Sequence, residues 1–465
     1  MSSAPHSASL RRRDIFLLAA YGFATVLVYV CLHGIYRPDN LDDAWFLSCA
    51  HNHVVNGIER DVVFATVPGV NGYGGVMLFG KSFTWLYGTV LRAVGWTKCA
   101  AHLLSTLWVV CGAACWGAIL VKLGFTRRLA LFLGAALLLV EPCFGAANQA
   151  RPDALSWLLV SGAFLAFLCR RCFWAGLLAA VAIEIHPVGL AAFLYMASAV
   201  VARALGRGQG KPMPLADFLW LCAGVGAGFA YYLALHASSL GLLPQLLGQG
   251  NASDGAWSNF LFSYFFKTKY YRHLFELVAI LLCAGFLVWR RQGREQPFVL
   301  VFFGAALLFS LIIRRPSFMY VVYVYPAFLL LLFWTFERQG RLGLAACLLL
   351  VFLLPQYAFV WSRNHDWDMD AYLAQVRALV PQDDSPVVGR PNDWFAFPER
   401  TFYADCYQGD FSAHAPPSFV LIAGDTFRHG GYGAFKPAIR HQYTMAELGR
   451  FQSRGETVVI YQLTK

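Results

Sequence analysis

Two carboxylates stand side by side at Asp42 and Asp43, in Leu41-Asp42-Asp43-Ala44-Trp45-Phe46-Leu47, just beyond the first long apolar run of the chain. Charges that close to a bilayer are costly unless something uses them. A carboxylate partly withdrawn from water can take the proton of a hydroxyl or an amine, so either acid is a candidate general base. The plainer reading is capping: Asn40 or Asp42 can cap a helix starting near Ala44, with acids favoured by its dipole. Capping explains one carboxylate well and a second less well. Both are therefore carried as catalytic candidates.

The cations suit an anion. Lys81, in Gly80-Lys81-Ser82-Phe83-Thr84-Trp85-Leu86, taken alone is an interfacial anchor that snorkels its ammonium to water. A loop's length after an acidic pair, it reads better as a phosphate ligand. Arg151-Pro152-Asp153 opens an apolar run. Pro there is ordinary helix punctuation and the two charges can be a surface pair, or Arg151 can meet phosphate while Asp153 supplies a further acid. Arg314-Arg315-Pro316 and the cluster Lys267, Lys269, Tyr270, Tyr271, Arg272 offer guanidiniums that bind phosphate oxygens in pairs. Lys269, Arg272, Arg314 and Arg315 join Lys81 and Arg151 as phosphate candidates.

His186-Pro187, close to Glu184, marks a break between apolar runs, and His186, Tyr320 and Tyr323 are read as lining a polar cavity between helices. A lone histidine at such a break is more often a hydrogen-bond partner than a ligand. Metal ligation by His186 with Asp42 or Asp153, to a divalent cation, stays open without a ligand spacing in support. No metal ligands are assigned. His51 and His53 fall on different helix faces, which argues against a pair.

What must position these residues is a membrane scaffold. The chain is 58% hydrophobic and 14% charged, with mean hydropathy +0.52, outside the range of soluble globular proteins. A net charge of +11 would suggest nucleic acid in a soluble chain. Here Arg and Lys gather in short clusters between apolar runs, which is the pattern of topology signals. Most of the 12 cysteines lie within apolar runs and read as small hydrophobes.

Apolar runs fall at 15–32, 101–121, 129–144, 154–168, 173–185, 188–201, 218–236, 274–289, 298–313, 318–336 and 342–361. They predict an α-helical polytopic membrane protein of about eleven spans, two of them short enough to be broken or tilted. The N-terminal Arg11-Arg12-Arg13 before the first run looks like a signal sequence, but the run is long enough to span and no small-residue cleavage site follows, so an uncleaved helix is expected. Lys122/Arg127/Arg128, Arg170/Arg171, Arg203/Arg207/Lys211, Arg290/Arg291/Arg294 and Arg338/Arg341 then all fall on the cytoplasmic side. The opposite face keeps Arg37, Lys81, Arg151, Lys267, Lys269, Arg272, Arg314 and Arg315 against the rule. Cations retained there imply an anion at the outer surface. Residues 76–94 have a helical apolar period and are expected to lie along the interface, because crossing would bury Lys81 and Arg92.

Two domains are expected: 1–362 in the membrane, with a first outer loop at 36–98, and 363–465 as a small α/β domain on the outer face. In the tail, 370–379 has the spacing of a short helix, and 386–389, 418–423 and 457–463 look like buried strands. At roughly 100 residues such a tail can hold a modest core.

The acidic pair after a first helix, the lysine segment, Arg151-Pro152-Asp153 and His186-Pro187, in that order, resemble the GT-C superfamily of membrane glycosyltransferases. The similarity is to the branch with protein O-mannosyltransferases and the lipid A aminoarabinose transferase, and covers about the first two hundred residues. It implies a polyprenyl-phosphate-linked sugar donor and an extracytoplasmic acceptor, with Asp42 as base and Lys81 and the outer arginines on the donor phosphate. Single displacement would invert the sugar. Ser82 and Phe83 stand where that branch has two prolines, and no acid directly precedes Lys81, so a second acidic role falls to Asp43 or Asp153. The expected location is the bacterial inner membrane, with the active site on the periplasmic or extracellular side. Two other functions remain in view: a flippase for lipid-linked sugars, and a ligase using a lipid-diphosphate glycan.

Overall fold

A computed structural model describes residues 12–36, 41–57, 80–206, 213–237, 240, 261, 264–265, 273–289, 296–313, 318–404, 417–424 and 443–465. They fall into two compact units, one drawn from Met1–Cys31, Ser105–Ala147 and Pro152–Phe359, the other from Leu32–Leu104, Asn148–Arg151 and Val360–Lys465.

The first unit is helical. Its elements are α1 (Arg12–Leu32), α4 (Lys98–Lys122), α5 (Arg127–Leu139), α6 (Glu141–Ala147), α7 (Pro152–Leu168), α8 (Cys172–Ile185), α9 (Ala191–Leu205), α10 (Leu215–His236), α11 (Leu274–Trp289), α12 (Pro297–Ile312), α13 (Tyr325–Arg338) and α14 (Leu342–Asn364), although α1, α4 and α14 end or begin in the other unit. Each of the apolar runs read from the sequence coincides with a helix or a broken helix. Among the described residues five stretches are long and apolar enough to cross a membrane, and the pair α5 and α6, bent by 59°, makes a sixth if counted as one span. Helices α7, α8, α11 and α12 are apolar but shorter. The bend has a local cause: Pro142 cannot donate a backbone hydrogen bond and its ring would clash with the carbonyl four residues back, so α5 stops at Leu139. Leu219, Trp220 and Phe229 on α10 are all exposed. A helix apolar on its exposed side needs lipid around it, and the protein is an integral membrane protein.

Close helix packing is clearest between α8 and α10. A Cβ at Gly224 would run into the Phe173 carbonyl, and one at Gly176 into the Leu221 carbonyl. Backbones therefore meet where small residues face each other, as is usual for helices in lipid. Gly224→Val is expected to destabilise the protein by about 1–3 kcal/mol through overpacking. Thermal unfolding in detergent checks it, and an unchanged melting temperature would contradict this packing. At the turn between α7 and α8, Cys169 and Cys172 bracket Arg170 and Arg171 as a C-x-x-C pair, contrary to the expectation that the chain has none, and both thiols are free.

The second unit contains α2 (Leu41–Asn56), α3 (Lys81–Val94), α15 (Met369–Leu379) and a five-stranded sheet. The strands are β1 (Val387–Gly389), β2 (Phe402–Ala404), β3 (Ser418–Ala423), β4 (Thr444–Ser453) and β5 (Glu456–Thr464), in the order β2-β1-β3-β5-β4. Pairing is parallel on both sides of β1 and antiparallel between β3, β5 and β4. Arg454 and Gly455 link β4 to β5, both with positive φ, as a two-residue hairpin turn matched to strand twist requires. Phe419, Leu421 and Leu463 form the core on one face of the sheet. The expected helix and three expected strands are present. Strands β2 and β4 were not foreseen; β4 lies at the sheet edge and is exposed along much of its length, so its sequence has no buried alternation to read.

The tail packs against the acidic helix. The short 3₁₀ turn Pro391–Ala396 lies on α2, His51 Nε2 is 2.9 Å from Glu399 Oε1, and the His51 ring meets Trp394 at 5.9 Å. His53 instead contacts Thr84 at 3.0 Å, so the two histidines do use separate faces of α2. Behind that turn, Tyr372 and the Arg390 backbone N–H both donate to Asp393, and Arg390 also reaches Glu456 at 3.2 Å. Burial pushes the Tyr372 hydroxyl well above its ordinary range, and the neighbouring Asp393 carboxylate pushes it further.

Candidate active site

Asp42 and Asp43 occupy the first turn of α2, where the helix dipole favours negative charge. Consecutive helix positions point about 100° apart, and the two side chains meet different surroundings. Asp43 is fully buried. Lys98 Nζ lies 3.0 Å from its Oδ2, His102 Nε2 lies 3.2 Å from the same oxygen, and the Ala150 N–H donates to Oδ1 at 2.7 Å. Burial pushes this carboxyl up, but Lys98 foremost, with His102 and the Ala150 amide, outweighs it and holds the group well below the usual carboxylate range. Asp43 is thus an ionised anchor joining α2, the start of α4 and the segment before α7.

Asp42 is the more accessible acid, with 26% of its side chain exposed. It pairs with the Arg151 guanidinium, which is 12% exposed and lies over the Phe46 ring at 5.8 Å. Because Ala150 is pinned by Asp43, the residue that follows it is delivered beside Asp42. The neighbouring acids are held through adjacent residues of one short segment.

Lys81 begins α3 directly after Gly80, whose left-handed φ of 82° turns the chain into the helix. Such a φ is open to glycine without strain. The buried stripe of α3 is Lys81, Phe83, Thr84, Tyr87, Gly88 and Leu91, while Trp85 is exposed. The amphipathic helix expected over 76–94 is therefore present from Lys81 onward. Its buried side packs on α2, with Phe46 and Phe83 edge to face at 5.9 Å. A lysine at the positive end of a helix dipole adds to that field, and both attract an anion.

In the helical unit, Asp153 is buried in the first turn of α7. Its backbone carbonyl accepts from the Tyr323 hydroxyl at 3.5 Å, and Tyr195 donates to the Tyr323 carbonyl. His186 caps the end of α8; its Nδ1 accepts from the Val188 N–H at 3.3 Å and its ring meets Tyr320 at 5.2 Å. His186 has the extended backbone that a following proline imposes. Asp153 with Tyr323, and His186 with Tyr320, are thus brought together in this unit. Lys269, Arg272, Arg314 and Arg315 lie outside the described residues. Among the described residues no group of three or more His, Cys, Asp or Glu side chains is placed to hold a metal ion.

Sequence reasoning missed Lys98 and His102. Their i, i+4 spacing at the start of a helix put them on one face, but nothing local ties that face to Asp43, 59 positions away from His102.

With this geometry in place, the chain can be compared with known proteins. No protein-family model matches it, and no curated protein matches it by sequence. Solved structures do match. ArnT from Cupriavidus metallidurans bound to undecaprenyl phosphate aligns over 95% of this chain and 97% of its own, with TM-score 0.61 and 14% identity. The fold is that of ArnT. The oligosaccharyltransferase AglB from Archaeoglobus fulgidus, in complex with an inhibitory peptide and a dolichol-phosphate, matches at TM-score 0.51 and 12% identity over 97% of this chain and 74% of that one. The apo oligosaccharyltransferase of the same organism gives 0.52 and 11%, over 93% and 73%. At these identities the likeness to ArnT and AglB is one of fold alone.

Proposed function

We propose that the protein is an integral-membrane glycosyltransferase that moves a sugar from a polyprenyl-phosphate-linked donor to an extracytoplasmic acceptor. The observation that carries this reading is an accessible carboxylate, Asp42, paired with a guanidinium and backed by a locked one, Asp43, in a chain with the fold of ArnT. ArnT was solved with undecaprenyl phosphate and AglB with dolichol-phosphate, which supports a lipid phosphate as the donor's carrier.

In the proposed mechanism Asp42 takes the proton of the acceptor nucleophile, whose oxygen bonds to the anomeric carbon. The bond from that carbon to the phosphate oxygen breaks in the same displacement, inverting the sugar, and the polyprenyl phosphate leaves with the extra negative charge. Lys81 and Arg151 neutralise it, so positioning and charge stabilisation supply most of the rate. Asp43 acts by placing Ala150 and hence Arg151. Lys269, Arg272, Arg314 and Arg315 enter as further phosphate contacts on sequence position alone, and Asp153, His186, Tyr320 and Tyr323 as polar groups among the helices. The finer topology belongs to the same proposal: about eleven spans, residues 363–465 on the outer face, the branch of lipid A and protein glycosyl transfer, and a place in the bacterial inner membrane.

Mass spectrometry of envelope lipids, glycans and glycoproteins, from cells with and without the protein, tests the reading. The expected result is loss of one sugar of defined mass from one acceptor class. Identical profiles together with altered transbilayer distribution of a lipid-linked sugar would favour a flippase instead.

A further inference from the structure

Asp42 and Arg151 form a pair of a particular kind. Each is partly open to its surroundings, at 26% and 12% exposure, whereas Asp43 alongside is closed off altogether. Partly solvated ion pairs are weak and exchange partners readily, while buried ones do not. The backbone beneath Arg151 is fixed, because Ala150 is tied to Asp43, and the guanidinium rests on the Phe46 ring. A long side chain on a fixed base, with an aromatic face to rest on, can change its anion without moving the chain.

We propose that Arg151 is shared in turn between Asp42 and the donor phosphate, so that the donor must bind before Asp42 becomes a base. This rests on the glycosyltransferase reading above. With Arg151 on Asp42, the carboxylate oxygen that would take the acceptor proton is occupied by guanidinium hydrogens. The donor's phosphodiester monoanion offers Arg151 the same fork geometry with its two unbridged oxygens, and a phosphate monoester such as the departing polyprenyl phosphate offers at least as many. Once the guanidinium turns to phosphate, Asp42 is left facing the acceptor hydroxyl. The arrangement keeps the base covered while no donor is present, and it fixes the order of binding: donor first, acceptor second. No bond is made or broken in the exchange, and the charge on every group is unchanged.

The test is a binding cycle on the full chain in nanodiscs, with farnesyl phosphate as probe and farnesol as its phosphate-free control. If Arg151 must leave Asp42 to bind phosphate, Asp42→Asn removes the competitor and tightens farnesyl phosphate binding by about tenfold. Arg151→Met weakens it by about as much, and adding Asp42→Asn to Arg151→Met then gives no gain. An Asp42→Asn gain of equal size with Arg151 absent would show simple charge repulsion and overturn the exchange. So would an Asp42→Asn affinity equal to wild type. Asp42→Ser and Arg151→Gln carry the same cycle if a first-choice variant does not fold. Wild-type protein that binds farnesyl phosphate no better than farnesol would instead remove the lipid-phosphate reading itself, so the two failures are told apart.

Discussion

Asp42→Asn is expected to reduce sugar transfer by about 10³-fold, within the ~10²–10⁴-fold range that a positioned general base contributes, while donor binding persists. Asn keeps the shape and can still accept hydrogen bonds, but it cannot take a proton at neutral pH. The loss should therefore sit in kcat, while donor KM does not rise and falls to the extent that Arg151 is freed for the phosphate. The assay is transfer of labelled sugar from a polyprenyl-phosphate donor into the membrane fraction. A variant within twofold of wild type would remove Asp42 from the base role and return the flippase to the front. Arg151 gives an internal control, since its loss should raise donor KM.

Much of the scaffold was legible because membranes simplify the code. Twenty or so apolar residues without a charge must be a helix, and the breaks came where local chemistry demands them, at Pro142 and at His186-Pro187. The acidic pair stood out for the converse reason: two consecutive charges in so apolar a chain are rarely accidental. What stayed hidden was partnership across distance. Asp43 meets Ala150, 107 positions on, and Asp42 meets Arg151, 109 on. Arg151 was noticed as a cation on the wrong side, but a topology rule says nothing of which carboxylate it faces. Lys98 and His102 drew no notice, since only the folded chain brings them to Asp43. In the tail, Tyr372, Arg390 and Asp393 were equally unreadable, because no short-range pattern distinguishes a buried network from three surface residues. Strand β4 failed differently: propensity and pattern both report burial, and an edge strand has little of it.

The two acids should separate most sharply when each is removed in turn, because Asp43 is expected to fail in folding and not in chemistry. Asp43→Ala deletes the carboxylate facing Lys98, His102 and the Ala150 amide inside a site with no exposure. Breaking one side of a buried ion pair costs about 3–5 kcal/mol, because a charge is left in a poor environment. The expected result is a lower melting temperature in detergent and faster hydrogen exchange at the Ala150 amide. Replacing both members, as in Asp43→Leu with Lys98→Met, should recover part of the loss, since a buried pair exchanged for apolar groups of similar size is often near neutral. The acid response gives an independent check. The folded-state carboxyl sits below its ordinary value, against the push of burial, because of Lys98 first and then His102 and the Ala150 amide. Its contribution is therefore complete above the unfolded value of about 3.9 and is lost as pH falls from there toward the folded value. Wild-type stability should fall in that window, and Asp43→Asn, already lacking the charge, should fall less. If Asp43→Ala instead melts like wild type and loses only activity, Asp43 is the working acid and Asp42 the one that serves it.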